Sequence, residues 1–195
     1  MARWQPDARG RLAAAAMELF RERGFDNTTV TDIAARAGLD KRTFYRLFGD
    51  KREALFDGGR LLEEVAVRAV TETDAAPFEA VITAFHRLAK ELFADRLDLV
   101  RVRQSIIDSS PELQERELHK MRSLSAAIAA ALRAKGTGET TATLATESGV
   151  TVFRLAFARW VAPGSDTSLT DLITEVAAEL RAVISAAPDP DPDHG

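Results

Sequence analysis

Glycine and proline divide this chain into pieces of helical length, and that spacing constrains the fold more than any other feature. The breakers are Gly24, Gly38, Gly49, Pro77, Pro111, Gly136 with Gly138, Pro163-Gly164, and Pro188 onward. Between them Ala, Leu, Arg and Glu predominate, residues that lose little on entering a helix. No stretch keeps a period-two alternation of β-branched residues, so no sheet is expected. The pattern predicts an all-α protein with helices at roughly 7–23, 30–37, 41–47, 51–73, 77–93, 96–109, 111–134, 139–161 and 168–187. The tail over 188–195, Pro-Asp-Pro-Asp-Pro-Asp-His-Gly, has nothing to bury and is expected to be disordered.

Composition narrows the function. Hydrophobic residues make up 46%, enough for a packed core. The longest apolar run, Ala126 to Leu132, is far short of the ~20 residues of a membrane span. The first seven residues lack the apolar stretch of a secretory signal. Cysteine is absent, so disulfides, thiolate metal sites and cysteine nucleophiles are excluded, and a cytoplasmic protein without a cofactor is expected. The net charge of −4 argues at first against a polyanionic partner. However, residues 1–60 hold 12 Lys/Arg against 9 Asp/Glu, whereas the remainder is acidic. Basic charge is concentrated at one end, as a phosphate-binding module on an acidic body requires.

The first three helices explain that asymmetry. Leu12, Ala16, Leu19 and Phe20 form one apolar stripe, and Gly24 follows as a C-terminal cap. Thr29 and Asp32 have the spacing of a capping box at the start of the second helix. Val30, Ile33, Ala34 and Ala37 then give a stripe only two turns long, and Gly38-Leu39 makes a tight turn into Lys41–Phe48. Helices this short are marginal alone and must pack on the first. Phe44 and Phe48, four apart, turn one face of the third helix inward, leaving Lys41, Arg42, Thr43, Tyr45 and Arg46 on the other. A cationic, hydroxyl-bearing ridge on a firmly backed helix suits the major groove.

Residues 16–25 (Ala-Met-Glu-Leu-Phe-Arg-Glu-Arg-Gly-Phe), 28–38 (Thr-Thr-Val-Thr-Asp-Ile-Ala-Ala-Arg-Ala-Gly) and 43–55 (Thr-Phe-Tyr-Arg-Leu-Phe-Gly-Asp-Lys-Arg-Glu-Ala-Leu) closely resemble the DNA-binding domain of the TetR family of regulators. The resemblance implies a three-helix helix-turn-helix domain over 1–50. Behind it stands a six-helix ligand-binding and dimerisation domain over 51–187. It also implies a homodimer on a near-palindromic double-stranded operator, released by a small molecule. By position, Thr29 resembles a phosphate contact, Thr31 can face a base, and Lys41, Arg42 and Thr43 open the recognition helix. Tyr45 and Lys51 resemble the family's phosphate-binding tyrosine and lysine. Read structurally instead, Tyr45 packs and Lys51 is a solvated helix start. Where many members place His or Tyr this chain has Leu47, which cannot bind phosphate; Arg46 stands beside it.

The last helix carries an unbroken stripe of Leu169, Leu172, Ile173, Val176, Leu180, Val183 and Ile184, which another helix has to cover. The preceding helix offers Leu144, Ser148, Val152, Leu155 and Ala156. A four-helix dimer interface about a two-fold axis is expected, with Leu144, Ser148, Val152, Leu169, Ile173, Val176, Leu180 and Val183 in it. The alternative is packing within one subunit.

Between the two ends, Phe78, Phe85, Phe93, Phe153, Phe157 and Trp160 either line an effector cavity or form ordinary core. The candidate ligand residues are Phe85, His86, Arg103, Phe153, Arg154 and Phe157, with Arg101 and His119 as further polar groups. Arg154 stands between apolar neighbours in an apolar helix and, if buried, needs an anion or a carboxylate. The stretch 103–117 resembles the C-terminal domain of mycofactocin-system regulators, and the resemblance implies an acyl-CoA-like effector. Gly58-Gly59 reads as a pivot within the fourth helix or as close packing. No catalytic constellation is visible: His86, His119 and His194 are far apart, and no phosphate-gripping glycine loop occurs. The remaining rival is a helical adaptor for a protein partner, against which the basic face argues.

Overall fold

A computed structural model describes residues 7–57 and 59–185. Every regular element among them is helical: α1 (Ala8–Arg23), α2 (Val30–Arg36), α3 (Lys41–Leu47), α4 (Lys51–Leu55), α5 (Gly59–Glu72), α6 (Pro77–Leu88), α7 (Leu97–Asp108), α8 (Pro111–Ala134), α9 (Glu139–Val161) and α10 (Leu169–Ser185). The all-α expectation holds.

Two of the expected helices are interrupted. The one over 51–73 is divided into α4 and α5, with the buried Phe56 closing α4 through its N–H to the Arg52 carbonyl at 3.1 Å. Gly59, read as part of a pivot or of close packing, begins α5, whereas Gly58 lies outside the described residues, as does the 188–195 tail. The helix expected over 77–93 is α-helical only to Leu88 and continues as one π-helical turn, Ala89–Phe93.

The chain forms two compact units. The first holds residues up to 64 and Arg96–Leu124. Its core joins Leu12, Leu19, Phe20, Phe25, Ile33, Phe44, Phe48 and Phe56 to Ile106, Ile107 and Leu113. Burying Phe44 and Phe48 is worth roughly 1.5–3 kcal/mol each. That outweighs any surface preference of the two-turn α3 and fixes which side faces inward. Arg36 grips Glu22 with a two-pronged contact at 2.8 and 3.0 Å and reaches Glu18 at 3.2 Å, tying α2 across α1.

The second unit holds Val65–Asp95 and residues from 125 on. Here α10 packs on α9 and α6. The close approach of α6 and α9 needs Gly149, since a Cβ there would lie 2.4 Å from Val81 Cγ1. Leu169, Leu172, Ile173 and Val176 of α10 and Val152 of α9 are buried in this core. Of the residues expected at a dimer interface, Val152, Leu169, Ile173 and Val176 are therefore inward, covered by their own chain. Leu144 and Val183 remain outward at 63% and 74% exposure, with Leu155 and Ile184 beside them in exposure, while Ser148 and Leu180 are half-buried.

Candidate nucleic-acid interface

The reading head is built from two capped helices and one glycine turn. Thr29 Oγ1 accepts from the Asp32 N–H at 3.2 Å, and the Asp32 carboxylate accepts from the Thr29 N–H at 3.0 Å. Two orphan donors of α2 are thus satisfied reciprocally. The Thr29 hydroxyl also donates to that carboxylate at 2.5 Å, which holds the Asp32 carboxyl below the usual range. The turn to α3 closes with Gly38 at φ +65°, a left-handed conformation that suits glycine, and the Leu39 N–H bonds the Ala34 carbonyl at 2.9 Å. Asp40 then caps α3, accepting from the Thr43 N–H at 2.6 Å and the Thr43 hydroxyl at 3.1 Å.

With Phe44 and Phe48 inside, Lys41, Arg42, Tyr45 and Arg46 are exposed, Tyr45 at 51%. The Tyr45 ring stands edge-on to Phe44 at 5.8 Å, so its base is packed and its hydroxyl free to point outward. Lys41 Nζ lies 5.8 Å from the Tyr45 ring centroid. Thr29 and Thr31 are exposed at the start of α2, and Thr43 is half-buried against its cap. Leu47 packs against the core. The first turns of α2 and α3 thus present hydroxyls, backbone N–H groups and cations on short, rigidly supported helices. That equipment matches a groove edge and its phosphates.

Lys51 departs from the structural alternative given for it. It is half-buried rather than a solvated helix start, and its ammonium donates to the carbonyls of Phe25 at 2.7 Å, Thr28 at 3.1 Å and Asp26 at 3.5 Å. Arg9, unlike Lys51, was missed in the sequence. It donates to the Leu47 carbonyl at 2.8 Å and to Asp57 at 2.7 Å, and lies 4.5 Å from the Phe48 ring centroid. Only the positions of these carbonyls in space reveal either contact. The Arg36 clamp had a faint signal, since Glu18 and Glu22 are four apart on one side of α1.

The candidate ligand residues fall into separate groups. In the second unit Phe85 stacks on Phe153 at 4.6 Å, and Phe93, Phe157 and Trp160 join them at 5.8–6.2 Å. His86 is half-buried, with Nε2 3.3 Å from Thr174 Oγ1; burial, reinforced by Lys90, pushes its pKa below the usual value. Arg154 is exposed, so it needs no buried anion or carboxylate beside it. Arg103 belongs to the first unit, where it pairs with Glu117 at 2.8 Å and donates to the Leu55 carbonyl at 3.3 Å. His119 also lies in that unit, exposed.

Such a reading head defines a helix-turn-helix DNA-binding protein. Residues 12–57 match the family described as bacterial regulatory proteins, tetR family. The chain is similar to the HTH-type transcriptional regulator TcmR of Streptomyces glaucescens, 33% identical over 79 residues. That match takes in 40% of this chain and about a third, 35%, of the curated relative's length. Among solved structures it is similar to Thermus thermophilus FadR, a TetR-family repressor in complex with lauroyl-CoA. The identity is 25% and the TM-score 0.55, over 96% of this chain and 100% of that one. The fatty acid degradation regulator FadR of Bacillus halodurans shares the fold, with 19% identity and a TM-score of 0.57 over 95% and 100% of the two chains. Residues 12–57 thus carry the DNA-binding domain of the tetR family, and the relatives named are transcriptional regulators.

Proposed function

We propose that this protein is a cytoplasmic, ligand-responsive repressor. A homodimer occupies a near-palindromic operator and leaves it when a small molecule binds. The observation that carries this reading is the orientation of α3: Phe44 and Phe48 are buried, and Lys41, Arg42, Tyr45 and Arg46 face outward from a capped, two-turn helix. In this reading Lys41, Arg42 and Thr43 address base edges. Tyr45, Arg46 and Thr29 meet phosphates, and Thr31 lies over the groove. Residues 1–50 supply the reading head and 51–187 the regulatory body.

The dimer uses the outward faces of α9 and α10. Leu144 and Leu155 lie eleven residues apart, on one side of α9, and Val183 and Ile184 are exposed near the end of α10. Large apolar side chains left open on adjoining helices call for a partner, and a second copy supplies the symmetric match. The effector enters the second unit around Phe85, Phe153 and Phe157. Acyl-CoA is the first class to test, because Thermus FadR, similar over the whole chain, is seen with lauroyl-CoA.

Selection of bound sites from random DNA tests the reading. Two-fold symmetric sites are expected, with half-sites about one helical turn or a multiple apart. Binding should weaken roughly 10³–10⁵-fold between 50 and 200 mM salt if the dimer neutralises about 6–10 phosphates. Arg42→Ala should relax preference at one base pair of each half-site by about 1–3 kcal/mol. No sequence enrichment, or binding indifferent to salt, would refute the reading. Failure of lauroyl-CoA to release the DNA or raise the melting temperature removes the acyl-CoA class alone.

A further inference from the structure

We infer that Lys120 and Arg103 form an anion-binding site in the first unit, which takes the carboxylate or phosphate group of a small molecule. It is separate from the effector site proposed in the second unit and has a ligand class of its own. Three charged side chains make it. Arg103 of α7 pairs with Glu117 of α8 at 2.8 Å, and Lys120 follows Glu117 by three residues, one turn along the same helix. Burial opposes the charge on Glu117, but Arg103 and Lys120 outweigh it and hold the carboxyl below its usual range. The trio therefore sets two positive charges against one negative, and one carboxylate does not neutralise both cations.

Lys120 is the unmatched member. It is largely buried, yet no hydrogen bond or ion pair joins it to a described residue. Its stem lies against Gly59, where a Cβ would stand 3.7–3.9 Å from the lysine's carbons. Burial lowers its pKa to about 8, so at pH 7 it still holds its proton and all three donors. A buried cation without a partner is costly, and methionine would fill the same space without the charge. What lysine adds is an ammonium with free donors beside a guanidinium, and such a pair suits an oxyanion. Arg103 is a fixed wall of the site: its Nε donates to the Leu55 carbonyl at 3.3 Å, and its guanidinium lies over the Phe56 ring at 5.0 Å. The Arg103 and Glu117 side chains keep 19% and 26% exposure, so a small anion reaches the trio from solvent. Leu55 is the last residue of α4, and an anion held by Arg103 therefore bears on the end of that helix.

The test titrates wild type, Lys120→Met, Lys120→Arg and Glu117→Gln with inorganic phosphate, octanoate and 1-octanol. Amide chemical shifts over residues 103–120 are followed at pH 7, with ionic strength held constant by chloride. Phosphate or octanoate should shift these amides in the wild type, and 1-octanol should not. Lys120→Met should weaken that binding about tenfold, the worth of a charge-assisted hydrogen bond. Lys120→Arg, which keeps the charge, should stay within about threefold, and Glu117→Gln should bind more tightly because the competing carboxylate is gone. A purely structural lysine would not give this pattern, since the Met variant binds worse without being less stable. Tighter binding of phosphate assigns the site to a free oxyanion, and tighter binding of octanoate to the acidic head of an amphipathic molecule. If neither anion shifts the amides, the inference is overturned. It also falls if Lys120→Met binds like the wild type, or if 1-octanol acts as strongly as octanoate. The binding is measured without DNA, so its result stands apart from the outcome of operator selection.

Discussion

Replacing Lys120 by methionine should make this protein more stable. Lys120 on α8 is largely buried beside Arg103 and Glu117, so two cations share one carboxylate. Burial, aided by Arg103 and opposed by Glu117, pushes its pKa down to about 8 from 10.5. At about 1.4 kcal/mol per unit, the charged lysine costs roughly 3 kcal/mol at neutral pH. Residual solvent contact and the attraction lost at Glu117 reduce the expected gain to about 1–3 kcal/mol. The folded pKa lies below the unfolded one, so between about pH 8 and 10.5 the unfolded chain holds the extra proton and stability rises with pH. Thermal unfolding followed by circular dichroism, at one protein concentration and at pH 7, 8.5 and 10, tests both parts. Lys120→Met should melt higher at pH 7, by about 2–4 °C per kcal/mol, and its advantage should shrink as pH climbs. A variant that melts lower at pH 7, or an advantage constant across the range, would refute the reasoning.

Two further outcomes are expected. Thr29→Ala removes the α2 capping box and should cost about 1 kcal/mol, measured by urea unfolding, while Thr29→Ser restores most of it. Leu155→Glu places a charge on the outward face of α9 and should shift sedimentation towards the monomer without altering the helical signal; an unchanged sedimentation coefficient would move the dimer contact elsewhere.

Periodicity made much of the fold legible, and its failures share a cause. The Phe44–Phe48 spacing identified the inner face of α3, and the Thr29–Asp32 spacing identified the start of α2. The α10 stripe was equally visible, but a stripe states that a face is covered and not by what. Its first part, Leu169 to Val176, is covered by the same chain, where α10 packs on α9 and α6, while Val183 and Ile184 stay open. Apolar flanks left the side of Arg154 open, because neighbours in sequence stand about 100° apart on a helix: Val152 and Phe153 are inside while Arg154 and Leu155 are out. The contacts of Lys51 depend on carbonyls some 25 residues away, and no side-chain pattern encodes a carbonyl. The end of α4 at Leu55 was not legible, because the apolar pattern over 51–73 runs on past it.

The core beneath the reading head sets a rule for anyone building chimeras from this protein. Ile106, Ile107 and Leu113 close the same apolar cluster as Leu12, Phe20 and Phe56. A graft of the first fifty residues onto a foreign sensor would carry the exposed side chains of α3 but leave their underside open to water. Transplanting the specificity intact requires moving α7 and the early turns of α8 along with it, or redesigning the recipient to supply three aliphatic side chains in their place.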